Sequence, residues 1–279
     1  MQQYLDLVKL VLDEGIRKPS RTGVDTISYF GAFYRVDLSK GFPLLTTKKM
    51  EWKSVLHEVL WYLSGENHIR NLQKHTKIWN AWADENGNLE TAYGYYWRHF
   101  PSAEKDKNGE WQIREVDQIK YVIDELKRRP YSRRLVVTAW EPGNATRSKL
   151  PPCHYSFAFN VNDGKLNCHL TQRSGDIALG IPFNLAAYSM LTQIIAQEVD
   201  LKLGFFAHTI IDAHIYIADK NSPMEKYDHR EGLIEQLKRE PLPLPSLKIA
   251  RKPIDELKFE DFELENYNCH EKIKFEVAV

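Results

Sequence analysis

The segment KLPPCHYSFAF, residues 149–159, places a cysteine after two prolines and before a run in which apolar residues alternate. A cysteine thiolate is a strong nucleophile, and a guanidinium a few ångströms away lowers the pKa of a thiol. Arg173 and Ser174 follow the next predicted strand. Cys153 is therefore a candidate nucleophile, although an arbitrary cysteine is more often a small buried apolar residue.

A hairpin is predicted around this cysteine, because the alternating segments HYSFAFNV and KLNCHLTQ are separated by NDG. An Asp-Gly pair is typical of a two-residue turn. With Asp163 and Gly164 at the turn, Cys153 lies opposite Ser174. One face of the pleat is then apolar and holds Tyr155, Phe157, Phe159, Val161, Leu166, Cys168 and Leu170. A regular pleat points Arg173 to the other face, so a bulge or the strand end must redirect it toward the thiol.

Composition limits the classes of function. The chain has 279 residues, 43% of them hydrophobic, which is enough for one large core. Lys plus Arg equals Asp plus Glu at 38 each, so no net field attracts nucleic acid or an anionic membrane, and any anion site must be local. The sequence lacks an apolar run of about 18 residues, and charges interrupt its first apolar stripe. We therefore expect a cytoplasmic protein without a membrane segment.

The three cysteines, Cys153, Cys168 and Cys269, are odd in number and lack CxxC spacing. This pattern argues against a disulfide framework and a zinc ribbon, and it predicts free thiols. Each cysteine precedes a histidine, but neighbours on a strand point to opposite faces and do not easily bind one ion together. No metal is predicted.

Hydrophobic periodicity predicts the helices that must hold these residues. They are expected from Tyr4 to just before Gly15, over 51–63, within the segment VDQIKYVIDELKRRP (116–130) up to Pro130, over 185–199 and over 224–239. Strand-like segments lie between them, including RRLVVTAW before the hairpin. Because no repeat or low-complexity linker interrupts the chain, we expect one catalytic domain over residues 1–279.

Several motifs together resemble the thymidylate synthase family: RTG, HEVLWYLSG, IWNAWADENG, SRR, LPPCHY, QRSGDIALGIPFN, DAHIY and the final VAV. The resemblance implies an α+β layered fold whose large kinked mixed sheet forms a two-fold dimer interface. It also implies reductive methylation of dUMP to dTMP through a covalent bond from Cys153 to carbon 6 of uracil. The family uses 5,10-methylenetetrahydrofolate, consumed as a co-substrate, and acts as a homodimer that requires neither a metal, a membrane nor nucleic acid.

The resemblance assigns roles around the nucleotide. Arg21, Arg173 and Ser174 match the phosphate site, and Arg133 and Arg134 are expected from the partner subunit across the interface. Guanidinium groups suit this role because they bind phosphate with two parallel hydrogen bonds. The remaining matches to the nucleotide site and its polar surroundings are Asn184 at the base, His214 and Tyr216 at the deoxyribose, and Gln172 and His154 in the supporting network.

Further matches concern the chemistry and the folate. Glu58 matches a proton-relaying glutamate, and Tyr93 matches the tyrosine associated with proton removal at carbon 5. The resemblance assigns Asp176 to three roles: catalysis, binding of the nucleotide and binding of the folate. The other expected folate contacts are Lys48, Trp79, Trp82, Ala278 and the terminal carboxylate of Val279.

Taken without the resemblance, several of these residues have ordinary interpretations. Periodicity places Glu58 at the edge of an apolar stripe, where a glutamate is more often a solvated flank. Lys48 after LTT is typical of a solvated lysine, and Trp79 and Trp82 are typical of core residues. Asn184 also suits a helix cap.

Two positions depart from the family pattern, and two alternatives stay open. Gly175 stands where Cys or Ala is frequent, which predicts a looser phosphate strand, and Ile211 stands where Gly is usual. A dUMP hydroxymethylase of the same fold shares the thiolate and the folate but ends in attack by water. A non-catalytic nucleotide or RNA binder is the other alternative, and the complete catalytic set and zero net charge weigh against it.

Overall fold

The computed structural model describes residues 1–89, 92–145 and 148–278. Its α-helices in these ranges are α1 (Gln2–Glu14), α2 (Trp52–Ser64), α3 (Tyr93–Arg98), α4 (Gln118–Arg128), α5 (Gly180–Glu198) and α6 (Arg230–Leu237). Helix α1 ends as the sequence predicts, and α2 ends one residue beyond the predicted end at Leu63. Gly15 follows α1, and Gly65 adopts the left-handed conformation that favours glycine after α2.

Two predicted helix boundaries were wrong. The last predicted helix starts only at Arg230, because the side chain of Asp228 accepts a hydrogen bond from the Arg230 amide and holds a local turn. The long apolar helix starts at Gly180, five positions before the predicted start at Leu185. Pro182 is tolerated there, since amide groups of the first helical turn have no partner within a helix.

The strands are β1 (Ile16–Lys18), β2 (Thr26–Asp37), β3 (Phe100–Lys105), β4 (Trp111–Val116), β5 (Val136–Thr138), β6 (Ser156–Asn162), β7 (Lys165–Gln172), β8 (Gly175–Asp176), β9 (Lys202–Tyr216), β10 (Ser246–Ile249) and β11 (Phe262–Glu265). A seven-stranded sheet has the order β1-β2-β9-β7-β6-β5, with β8 also paired to β9. Strands β7 and β8 run parallel to β9 and the other pairs of this sheet are antiparallel. The predicted α+β fold with a large mixed sheet is therefore confirmed.

The predicted hairpin register is confirmed from Asn162 paired with Lys165 to Ser156 paired with Thr171. Asp163 and Gly164 both have positive φ, as a type I′ turn requires. Beyond Ser156 the prediction was wrong. The amide of Arg173 donates to the carbonyl of Cys153 at 2.8 Å, so Arg173 rather than Ser174 is the neighbour of the cysteine. The prolines that precede Cys153 lack the N–H groups that would extend a regular ladder.

The core is one contiguous apolar cluster to which α1, α2, α5 and the inner face of the large sheet contribute. Helix α5 is apolar on nearly all sides and packs against β7, β8, β9 and α2. The buried hairpin face includes Phe157, Phe159, Leu166, Cys168 and Leu170, as predicted. This contiguous core supports the prediction of one domain over residues 1–279.

The other face of the sheet leaves large apolar side chains exposed, among them Phe33, Val136 and Ile211. The three cysteines are free thiols, as the sequence predicts. In the described part of the chain, no helix has the length and apolar character needed to cross a membrane.

Candidate active site

A cavity of about 990 Å³ opens where the ends of β7 and β8, the start of α5 and one face of α2 meet. Its size is at the upper end of the range of about 300–1,000 Å³ that is usual for small-molecule sites, which leaves room for two ligands. The predicted site residues that line it are Arg21, Glu58, Trp79, Trp82, Tyr93, Cys153, His154, Gln172, Arg173, Ser174, Asp176, Asn184, His214, Tyr216 and Ala278.

Cys153 is half-buried on a loop that two side chains hold in place. The Tyr93 hydroxyl accepts a hydrogen bond from the Cys153 amide at 2.7 Å. The Arg173 guanidinium donates to the carbonyls of Pro152 at 3.0 Å and Pro151 at 2.7 Å. Both prolines lack N–H groups, so their carbonyls are the available partners for this clamp. Arg173 thus fixes the loop that carries the thiol.

Burial raises the pKa of the Cys153 thiol above its ordinary value, and Arg173 and Arg21 oppose this shift without overcoming it. The predicted lowering effect of a nearby guanidinium is present, but burial outweighs it. Desolvation penalises the anion more than two nearby guanidinium groups stabilise it. The two guanidinium groups favour the thiolate, but they do not bring the thiol pKa down to its ordinary value.

His154 lies directly behind the cysteine and is buried. Its ring stacks on Tyr93 with 3.7 Å between ring centroids and an angle of 6° between the planes, and its Nδ1 lies 2.7 Å from the Tyr188 hydroxyl. Burial lowers the pKa of His154 to about 3, so the ring is neutral near neutral pH. Its position supports Tyr93, whose hydroxyl in turn holds the Cys153 amide.

Glu58 is buried on α2, so its interpretation as a solvated flank was wrong. Trp79 Nε1 donates to Glu58 Oε1 at 2.7 Å. Burial raises the pKa of Glu58 to about 7, against the opposing effects of Trp79 and Tyr62. Periodicity failed here because α2 is covered on more than one side: α5 packs against it and the cavity lies beside it. A carboxyl group with this pKa can give up or accept a proton at neutral pH.

Arg21, Arg173 and Ser174 bring positive charge and hydrogen-bond donors to the cavity wall, and both arginines act electrostatically on Cys153. Because the chain has no net charge, any anion site must be local, and these residues are the candidates for it. Asn184, in the first turns of α5, accepts a hydrogen bond from Gln172 Nε2 at 3.1 Å and faces the same cavity.

His214 and Tyr216 lie two residues apart on β9 and both face the cavity, with 5.3 Å between their ring centroids. Sequence reasoning missed Asp212, which also lines the cavity. Asp212 accepts hydrogen bonds from Ser28 at 2.5 Å and Lys18 at 2.6 Å. Its position two residues before His214 in the same strand was the available signal.

The cavity lining also combines aromatic surface with the carboxylate of Asp176. Asp176 accepts a hydrogen bond from the Ala178 amide at 2.8 Å. Burial raises the pKa of Asp176, but the interactions with His229, His214 and the Ala178 amide outweigh burial, so the net shift is downward. The sequence predicted Trp79, Trp82 and Ala278 for the site and missed the apolar lining residues Ile78, Leu179, Phe183 and Val277.

Three predicted residues, Lys48, Arg133 and Arg134, are not brought into this lining. Lys48 is buried, so its reading as a solvated lysine was wrong; it donates to the Ala178 carbonyl, and burial lowers its pKa to about 8. Its role at a folate tail stays a prediction. Arg133 and Arg134 are exposed between α4 and β5, outside the chain's own cavity lining. Val279 lies outside the described residues.

The structure explains the two positions at which the sequence departs from the family pattern. A Cβ atom at Gly175 would lie 2.5 Å from Ile181 Cδ1, so the Ile181 side chain fills the space and the strand is tightly packed rather than loose. Ile211 is not among the described residues with positive φ, whereas Gly31, on the neighbouring strand β2, has φ of 78°. The glycine-type conformation is therefore not needed at position 211.

Within the described ranges, no group of three or more His, Cys, Asp or Glu side chains is placed to hold a metal ion. The family model described as thymidylate synthase matches residues 2–279. A thymidylate synthase from Haloferax volcanii is 48% identical to this chain, over an alignment that covers 98% of the chain and 95% of the relative. A thiol, a carboxyl group and an anion site in one cavity agree with these two matches, and the chain belongs to the thymidylate synthase family.

Proposed function

We propose that the chain converts dUMP to dTMP, with 5,10-methylenetetrahydrofolate as both one-carbon donor and reductant, and releases dihydrofolate. The observation that carries this proposal is that Cys153, Glu58 and the guanidinium groups of Arg21 and Arg173 line one cavity. A nucleotide monophosphate needs an anion site beside the reacting base, and the folate needs an adjoining aromatic surface. Both are available here.

Cys153 has the role of the covalent nucleophile. Its sulfur forms a bond to carbon 6 of uracil, which makes carbon 5 nucleophilic toward the methylene carbon of the folate. Carbon 5 then loses its proton, and tetrahydrofolate leaves and returns a hydride to the methylene group. When the methyl group has formed, the sulfur–carbon bond breaks and frees the thiol. Arg173 assists by holding the cysteine loop and by favouring the thiolate electrostatically.

Glu58 and Tyr93 carry out the proton transfers. The pKa of Glu58, about 7, allows its carboxyl group to exist in both forms under working conditions. Its hydrogen bond from Trp79 fixes Oε1, and the residue lines the cavity where the ligands bind. Tyr93 lies against the cysteine backbone, where its hydroxyl is close to the reacting ring of a bound nucleotide.

The binding roles divide the lining residues between the nucleotide and the folate. Arg21, Arg173 and Ser174 bind the phosphate, and Asn184 binds the polar edge of uracil. His214 and Tyr216 contact the deoxyribose. Asp176 accepts a hydrogen bond from the pterin ring of the folate, while Trp79 and Trp82 pack against its face.

We further propose a homodimer in which Arg133 and Arg134 of each subunit complete the phosphate site of the other. Both arginines are exposed and lie outside the chain's own cavity. The outer sheet face, with exposed Phe33, Val136 and Ile211, offers an apolar surface for the second copy. A cytoplasmic location stays a prediction from the sequence.

The test is to incubate the protein with dUMP and methylenetetrahydrofolate and to identify both products by mass. We expect dTMP and dihydrofolate. The relative's name does not favour the hydroxymethylase alternative, which predicts hydroxymethyl-dUMP and tetrahydrofolate instead. Cys153→Ala should abolish turnover and keep dUMP binding, whereas Cys168→Ala, which alters a buried thiol outside the cavity, should retain turnover. Unchanged turnover in Cys153→Ala would refute the proposal.

A further inference from the structure

A chain of hydrogen bonds connects the core to Asn184. The Tyr34 hydroxyl lies 2.9 Å from His208 Nδ1, and His208 Nε2 lies 3.0 Å from Gln172 Oε1. Gln172 Nε2 then donates to Asn184 Oδ1 at 3.1 Å. Tyr34 and His208 are buried and do not line the cavity, so they cannot touch a ligand there.

A backbone carbonyl fixes the direction of this chain at Gln172. Gln172 Nε2 donates to the Ser174 carbonyl at 2.9 Å, and a carbonyl can only accept. The amide nitrogen of Gln172 must therefore face Ser174 and Asn184, and its oxygen must face His208. Since Oε1 also only accepts, His208 Nε2 must carry the hydrogen.

The remaining link follows from the charge state of His208. Burial, with smaller contributions from His154 and His169, lowers the pKa of His208 to about 3, so the ring carries one hydrogen near neutral pH. With that hydrogen on Nε2, Nδ1 is an acceptor and the Tyr34 hydroxyl donates to it. Burial also raises the pKa of Tyr34 and keeps this hydroxyl protonated. Every hydrogen bond in the chain then has one direction.

The consequence for Asn184 is that its Oδ1 is directed toward Gln172 and its Nδ2 away from it. An isolated asparagine amide can exchange these two atoms by rotating half a turn about its last side-chain bond. Rotation here would place the Asn184 amino group against the Gln172 amino group, two donors without an acceptor between them. Such an arrangement is costly in a buried site.

The orientation of this amide determines which pyrimidine it can bind. The polar edge of uracil presents a donor at N3 and an acceptor at O4, whereas cytosine presents an acceptor at N3 and a donor amino group. The rotated amide is complementary to cytosine. We propose that the chain Tyr34–His208–Gln172 fixes the amide of Asn184 in the orientation that accepts uracil and rejects cytosine. This inference rests on the proposed function and adds Tyr34 and His208 to it as positioning residues that determine specificity.

The test compares binding of dUMP and dCMP, measured by calorimetry without folate. His208→Leu removes the donor to Gln172 and should lower the affinity ratio of dUMP to dCMP roughly tenfold or more. His208→Gln, whose amide can still donate to Gln172, should keep the ratio close to that of the unsubstituted protein. Tyr34→Phe is a milder variant for the case that His208→Leu does not fold, and it should lower the ratio by a smaller factor.

A purely structural role predicts a different result. Loss of packing would weaken both nucleotides alike, so an unchanged ratio in His208→Leu and Tyr34→Phe, with dUMP turnover still present, overturns the inference alone. Failure of the unsubstituted protein to bind dUMP overturns the proposed function as well. In a second measurement, nitrogen-15 NMR should show His208 neutral with its hydrogen on Nε2. A hydrogen on Nδ1 contradicts the proposed direction of the chain.

Discussion

His229 Nε2 donates a hydrogen bond to the backbone carbonyl of Glu276 at 2.9 Å. The other ring nitrogen of His229 lies 3.7 Å from Asp176 Oδ1, and Phe275 packs edge-on against the ring. The buried imidazole therefore connects the carboxylate assigned to the folate with the segment that carries Val277 and Ala278 into the cavity wall. We therefore expect His229 to help hold this segment in position.

His229→Asn should raise the KM for methylenetetrahydrofolate roughly three- to tenfold, the equivalent of one hydrogen bond, and leave dUMP affinity unchanged. His229→Gln should raise it less, because a glutamine amide nitrogen reaches the position of Nε2. Hydrogen exchange of residues 273–278 should rise in the asparagine variant. Equal KM values in all three proteins would contradict this role.

The same histidine should make the stability of the protein depend on pH. Burial lowers the pKa of His229, but the contact with Asp176 outweighs burial and the net shift is upward. A raised pKa means that the stabilisation is complete below the ordinary histidine pKa of about 6.5 and disappears as pH rises through the raised value. Melting temperatures from pH 6 to pH 9 should therefore fall more steeply for the unsubstituted protein than for His229→Gln. Parallel curves would show that the ion pair contributes nothing.

Glu58 should give a pH dependence of the same sign in a more acidic range, and its neutral analogue should lack it. Its folded-state pKa of about 7 lies above the ordinary value of 4.5, so the folded state loses stability as pH rises from about 4.5 to about 7. A shift of this size corresponds to about 3 kcal/mol in the free energy of unfolding. Glu58→Gln should remove this pH dependence in urea denaturation experiments and should also abolish turnover. A Glu58→Gln protein with the same pH profile as the original would place the titration elsewhere.

Local patterns predicted the hairpin well because its register depends on a turn and on alternation alone. Asp163 and Gly164 determine the pairing up to Ser156 and Thr171. Where two prolines interrupt the ladder, the register shifts by one residue, and alternation contains no information about that shift. The contact between Arg173 and the carbonyls of the cysteine loop could therefore not be predicted.

The sequence also did not predict which polar side chains are buried. Glu58 and Lys48 are polar side chains on elements that are covered on several sides, and periodicity along one element does not report a second neighbour. The resemblance to the family correctly predicted that Glu58 belongs to the cavity. The role at the folate that the resemblance assigns to Lys48 stays a prediction. The role of His229 had no sequence signal, since it depends on a contact across 47 residues.

Gly175 should be required by packing rather than by backbone conformation. Gly175→Ala places a methyl group against Ile181 Cδ1 and should destabilise the protein by about 1–3 kcal/mol. Ile181→Val removes that atom, so the double variant should be more stable than the sum of the single effects predicts, by about 1 kcal/mol. Chemical denaturation of the four proteins measures this coupling. Additive effects would show that the two side chains do not compete for space.

Arg21 and Arg173 should have separable effects on the Cys153 thiol. Both guanidinium groups lower its pKa, but among the described contacts only Arg173 also binds the carbonyls of the cysteine loop. In a Cys269→Ser background, the pH dependence of alkylation by iodoacetamide reports the pKa of Cys153, because Cys168 is buried. We expect a value above the ordinary thiol pKa, raised further by Arg21→Gln with little change in the limiting rate at high pH.

Arg173→Gln should raise the thiol pKa and also change the limiting rate, because the loop loses its clamp. Lys9→Gln, which alters an exposed charge on α1, is the matched control and should leave both quantities unchanged. If Arg21→Gln leaves the pKa unaltered, the field of the anion site does not reach the sulfur. Activation of the thiolate would then depend on Arg173 alone, and the two arginines of one site would have different functions, one in binding the phosphate and one in preparing the nucleophile.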